Sequence, residues 1–254
     1  FAGIVGGTAA LTDLDVKAAT IQLNTTSISV DAGAGGNTVG LTGAVSLGAN
    51  VSLDLDGALG NNNLLVTGTV DSASVATARN ITILAGTSGD GTLGDVTVTG
   101  AVGGTAPLGN ITVTGAGNLS SGTVLTDNVT FTGDLTATAN TMTFNGTEVR
   151  STGGGTITLA PATTGNGITL GDTPAVFNYL DLSDVAGIIF TSGRFVVGNT
   201  STGAINVGNS NLSGNGFSGF SLVTRGNALD DVVFDLDEGI TLPSATDVRF
   251  SIGS

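Results

Sequence analysis

A chain of 254 residues with neither histidine nor cysteine lacks imidazole and thiolate, so Ser-His or Cys-His nucleophilic catalysis, His-ligated metal hydrolysis and disulfide stapling are excluded. Twenty acidic residues against six basic ones, a net charge of −14, repel nucleic acid and anionic lipid. Forty-two glycines, a charged fraction of 10% and a mean hydropathy of +0.38 favour short strands and tight turns over long helices or disorder. No run of about 18 apolar residues occurs, so no membrane insertion is expected.

Repetition is visible from the first residues. FAGIVGGTAAL at 1–11 returns as VTGAVGGTAPL at 98–108, aligning Gly3 with Gly100, Val5 with Val102, Gly6 and Gly7 with Gly103 and Gly104, and Leu11 with Leu108. VGLTGAVSLGAN at 39–50 returns more loosely as VTFTGDLTATAN at 129–140. Shorter words run through the same region: RNITI at 79–83, GDVTVTG at 94–100, GNITVTG at 109–115 and DNVTFTG at 127–133. Each word sets Asn or Asp before an alternation of apolar residue and Thr. Ile111 and Val113 then point one way while Thr112 and Thr114 point the other, which makes a short strand with one dry face. The Gly, Asn and Asp between words suit sharp corners.

Hairpin signals are scarce, with GDG at 89–91 and NG at 145–146 the exceptions, so a sandwich is disfavoured. Stacked coils fit better, and the residues point to an all-β, parallel β-solenoid in which like residues of successive coils lie over one another. Coils of about 20 to 25 residues predict roughly ten to twelve of them, stacked about 4.8 Å apart. Residues 1–254 read as a single continuous segment. Neither FAGIVGG nor DVRFSIGS looks like a polar cap, so uncapped ends are expected, with continuation into more chain or head-to-tail contact with another copy. A less regular module follows Gly165, at 177–209. In it Leu180, Leu182, Val185, Ile188 and Ile189 read as a covering loop or single helical turn, with strand resuming at Phe195 to Val197 and at Ala204 to Val207.

The FAGIVGGTAALTDLDV opening, the word GAVSLGANVSL at 43–53 and above all LDLSDVAGIIFTSGRFVVGNTSTGAINVG at 180–208 resemble the repeat region of filamentous haemagglutinin-like proteins, which are very large secreted bacterial exoproteins. The resemblance implies a right-handed parallel β-helix, export from a bacterial cell to its surface or beyond, and a role in adhesion or matrix building. It carries over no catalytic residue. The partners it implies are the chain's own kind, by end-to-end or lateral association or through flanking repeats, and host or matrix glycans.

Carboxylate pairs are the remaining route to catalysis, because some β-helices cleave polysaccharides. Asp230 with Asp231, Asp235 with Asp237 and Glu238, and Asp54 with Asp56 are the candidates, but neighbouring acids on a strand alternate faces, and a glycosidase pair must converge on one bond. Lys17, Arg79, Arg150, Arg194, Arg225 and Arg249 are too scattered to grip an acidic sugar. No catalytic or cofactor-binding residue is therefore assigned. Calcium is the one ion the acidic loops suit, at Asp90 and Asp95 in TSGDGTLGDV or at Asp235, Asp237 and Glu238 in DLDEG; solvated carboxylates are the favoured reading. Asn-x-Ser/Thr sequons such as those at Asn80, Asn110 and Asn128 read as stacked corner amides rather than glycan acceptors. The Thr-x-Thr pairs (Thr97 and Thr99, Thr112 and Thr114, Thr136 and Thr138, Thr141 and Thr143, Thr156 and Thr158) raise an ice-binding face, but their uneven spacing argues against one column. The main reading is a non-catalytic structural or adhesive filament segment. The alternatives are a carbohydrate-binding or carbohydrate-processing β-helix and, further back, an ice-binding solenoid.

Overall fold

Alternating apolar and polar residues interrupted every few positions by glycine or asparagine leave room for strands but not for helices. The computed structural model describes residues 1–31, 37–57, 62–86, 94–116, 119–121, 129–144, 148–171, 179–182, 185–227, 232–234 and 240–252. Among them the regular elements are all strands, and every strand pairing is parallel.

The longest sheet has nine strands in chain order: Ser27–Ser29, Val51–Asp54, Ile81–Leu84, Ile111–Ala116, Leu135–Ala139, Ile157–Ala160, Arg194–Gly198, Gly219–Thr224 and Asp247–Ile252. Two further faces are visited between its strands. One runs through Thr38–Leu47, Asn63–Thr67, Val96–Val98, Leu119–Ser121 and Met142–Phe144. The other runs from Val45 and Leu47 to Val70–Ser72, then by single bridges through Val102 and Leu108 to Val129–Phe131, Val149–Ser151 and Ile189–Thr191. Each circuit of the chain thus lays one segment on each face and returns beside its predecessor.

Register holds the core together. In the long sheet Val51, Ile81, Ile111, Leu135, Ile157, Phe195, Phe220 and Val248 are paired in one column. Leu53, Ile83, Val113, Ala137, Leu159, Val197, Leu222 and Phe250 form the next. All but the last member of each are buried, whereas Val248 and Phe250 are 42% and 57% exposed. Fully burying one such side chain stabilises by about 1.5–3 kcal/mol. The columns set the sequence period as well, because a residue that slipped by one position would turn its apolar side to water.

Circuit length, by contrast, is not constant. Leu135 to Ile157 is 22 residues and Ile157 to Phe195 is 38. The uniform coils of 20 to 25 residues expected from the sequence are therefore corrected: extra residues leave the stack at corners without disturbing register. The longest circuit contains an additional strand, Tyr179–Asp181, which pairs with Gly167–Leu170 on the side opposite Ile205–Val207. Leu180, Leu182, Val185 and Ile189 are buried there, and a single turn at 185–188 leads into Ile189–Thr191. These residues feed the core rather than cover it.

Candidate functional site

A repeated Gly-Asn or Gly-Asp before each long-sheet strand has one structural purpose, visible at the corner where the chain enters that sheet. The Asn50 side-chain oxygen accepts the backbone N–H of Asn80 at 3.0 Å. Asn80 accepts from Asn110 at 2.8 Å, Asn110 from Asp134 at 3.0 Å, and Asp134 from Thr156 at 2.7 Å. A side-chain carbonyl thus satisfies one backbone donor of the following circuit at a place where the sheet ladder has not yet begun. Glycine is required beside it. A Cβ on Gly109 would lie 2.2 Å from Asn80 Oδ1, and one on Gly133 would lie 1.8 Å from Asn110 Oδ1. The sequons at Asn80 and Asn110 therefore mark stacked corner amides, as read from the sequence; Asn128 lies outside the described residues.

A second corner repeats the device with a buried member. Asn62, wholly buried, donates to the carbonyls of Val30 at 2.8 Å and Leu55 at 3.3 Å and accepts the N–H of Asn37 at 2.8 Å. Asp95, one of the candidate calcium ligands, stands in this column: its N–H donates to Asn63 Oδ1 at 2.8 Å and the residue is exposed. Asp90, Asp235, Asp237 and Glu238 lie outside the described residues, as do Asp230 and Asp231. Asp54 and Asp56 are brought together only locally, Asp56 N–H donating to Asp54 Oδ1 at 3.4 Å. Among the described residues no three acidic side chains converge on one point.

A third corner was not foreseen. On the second face Ser72, Ser151 and Thr191 occupy inward positions that other circuits fill with Leu47, Leu108 or Phe131. Each hydroxyl bridges two backbone groups. Ser72 donates to Pro107 O and accepts from Arg79 N–H, at 2.8 and 2.9 Å. Ser151 does the same between Gly133 O and Gly155 N–H, at 2.8 and 2.9 Å, and Thr191 links Gly155 O with Gly193 N–H. A buried hydroxyl at an apolar period reads in the sequence only as a strand ending, which is why nothing singled it out.

The outer faces carry the remaining chemistry. Thr82, Thr112, Thr136 and Thr158 stand in one register column on the long sheet. This corrects the expectation that uneven spacing prevents a column, since corners absorb the difference. A second, parallel column does not form: Leu84 pairs with Thr114, and the register shifts between Ala137 and Ala139. The Thr138 hydroxyl is taken up by Gly115 N–H at 2.9 Å. Of the basic residues, Arg150 holds Glu148 through two bonds of 2.8 Å and lies 4.6 Å over the Phe190 ring. Arg194 reaches across two circuits to Phe220 O at 3.0 Å, Ser221 Oγ at 3.0 Å and the Asp247 carboxylate, which Arg249 also approaches at 3.1 Å. Hydrogen bonds from Arg150 and Arg194 hold the Glu148 and Asp247 carboxyls, respectively, below the usual carboxylate range. A groove of about 200 Å³ is lined by Leu170, Gly171, Leu182, Ala186, Asn209, Ser210, Asn211 and Leu212, small beside the roughly 300–1,000 Å³ of ordinary ligand pockets.

Comparison with protein-family models, with curated proteins and with solved structures finds no match to this chain. What the residues bring together is thus a set of stacked corners and ladders that act on the chain's own backbone.

Proposed function

We propose that the chain is a segment of a right-handed parallel β-helix acting as a stiff, non-catalytic rod in an adhesive or matrix-building filament outside a bacterial cell, of the filamentous haemagglutinin-like kind. The carrying observation is the unbroken register of the long sheet, where one apolar column extends from Val51 to Val248 through eight strands. Each circuit templates the next, so length is added without a new core, and load along the stack falls on many parallel backbone bonds at once. The acidic surface keeps such a rod soluble, and the absence of any metal or cofactor requirement is part of the reading. Partners are further repeats or copies of the same chain, with host or matrix glycans as adhesion targets.

Electron microscopy of the intact material tests this. Rods with a continuous spacing of about 4.8 Å and a right-handed coil path support it; discrete compact particles sink it and favour a carbohydrate-processing enzyme instead.

A further inference from the structure

The repeat of 1–11 at 98–108 is a structural repeat. Val5 and Leu11 bridge Ile28 and Val30, as Val102 and Leu108 bridge Val129 and Phe131. Ser29 N–H donates to Val5 O and Leu11 N–H to Ser29 O, as Thr130 N–H donates to Val102 O and Leu108 N–H to Thr130 O. Gly6 and Gly103 share a positive φ, 72° and 69°, which lets the loop between the two bridging residues swing out with its amides facing away from the next circuit.

The two copies differ on that other side. In the second copy the loop receives Val70, Asp71 and Ser72. Gly103 N–H donates to Val70 O at 2.7 Å, and Thr105 and Ala106 N–H both donate to Asp71 Oδ1, at 2.8 and 3.1 Å. Ser72 N–H donates to Ala106 O at 3.0 Å and its hydroxyl to Pro107 O at 2.8 Å. Consecutive amides gathered on one carboxylate oxygen form an anion nest. In the first copy Gly6, Thr8 and Ala9 present the same amides, and none of them meets such a partner among the described residues. Ala106 is buried whereas Ala9 is exposed, and Leu108 is buried whereas Leu11 is only half-buried.

We propose that the 5–11 loop is a docking surface for an extended peptide carrying an apolar residue, then aspartate, then serine, its carboxylate seated on the amides of Thr8 and Ala9. The chain itself shows what fits, because an identical loop 97 positions on holds that pattern. The apolar residue extends the Val5 column, the aspartate fills the nest, and the serine closes on the carbonyls of Ala9 and Ala10. The docking surface is independent of whether the chain forms rods.

The test is a titration of the ¹⁵N-labelled protein with the end-blocked peptide Gly-Thr-Val-Asp-Ser-Ala-Ser, residues 68–74 of this chain, followed by amide resonances. Saturable shifts at Gly6, Thr8 and Ala9, with Thr105 and Ala106 unmoved, are expected. The peptide with D71N should bind roughly tenfold more weakly, the worth of a charge-assisted hydrogen bond. No shift at millimolar peptide overturns the proposal, and so does equal binding of the D71N peptide. Sodium acetate at the same concentration serves as the control: if it reproduces the shifts in full, the loop is an anion nest alone and not a seat for a strand.

Discussion

Asn80 and Asn110 stand one circuit apart, the side-chain oxygen of the first 2.8 Å from the backbone nitrogen of the second, and Gly109 lies against that oxygen where no side chain fits. Amide and glycine are therefore one device. Gly109→Ala should destabilise by about 1–3 kcal/mol through overpacking, and Asn80→Ala by about 1 kcal/mol for the lost bond. In the double variant the clash has gone, so urea denaturation should show a total about 1 kcal/mol smaller than the sum of the two. Strict additivity would mean that the glycine serves some other purpose.

The two sides of one strand should behave oppositely. Leu159 is fully buried in its column, so Leu159→Ala is expected to lose about 2–5 kcal/mol. Thr158, on the outer side of the same strand, should accept Val within about 0.5 kcal/mol. Chemical unfolding of both variants decides, and a comparable loss at both positions would contradict the face assignment.

Ser151→Ala probes the corner hydroxyls. Gly133 O and Gly155 N–H would lose their shared partner next to a site only 5% exposed, for a loss of about 1–3 kcal/mol. Hydrogen exchange at Gly155 should accelerate first, since its donor is the one released.

Acid should loosen the two arginine–carboxylate contacts. The hydrogen bond from Arg194 to Asp247, helped by Arg249, and that from Arg150 to Glu148 lower both carboxyl pKa values in the folded chain. A carboxyl with a lower pKa folded than unfolded adds stability above its unfolded value, near 4, and loses it as pH falls through the folded value. The Asp247→Asn, Glu148→Gln double variant should therefore have a lower urea midpoint than the parent at pH 6, the gap closing toward pH 2. Both pairs are partly exposed, so the gap should be small and shrink in salt.

Chelation should change little. With no converging trio of acids among the described residues, excess EDTA is expected to move Tm by no more than about 1 °C. A fall of several degrees would assign a stabilising ion, with Asp90 and Asp95 or Asp235, Asp237 and Glu238 the first ligands to substitute.

The local words of the sequence were informative because their physics is local. Ile111 and Val113 inward with Thr112 and Thr114 outward follows from alternation alone, and the Asn80–Asn110 stack follows from identical words placed one circuit apart. The 97-residue repeat also foretold a shared loop geometry down to Gly6 and Gly103. Circuit length was not legible, because residues that leave the stack at a corner carry no periodic mark. The buried Ser72, Ser151 and Thr191 were missed for a related reason: a hydroxyl satisfied by two backbone groups is indistinguishable in sequence from one in water. In the 177–209 module Leu180 and Leu182 read as a cover since their strand is too short to show alternation, and only pairing with Ile168 and its neighbours places them inside.

The variable circuits have a consequence for reading and editing such chains. From 22 residues to 38, each circuit adds one strand thickness to the long sheet, so the number of amino acids is a poor ruler of the distance spanned. Removing a whole circuit should shorten the stack by about 4.8 Å, whereas trimming a corner excursion should leave its height unchanged. Foreign peptides inserted at corners, between Ser72 and Ile81 for example, would be displayed at fixed intervals along a scaffold that does not register their presence.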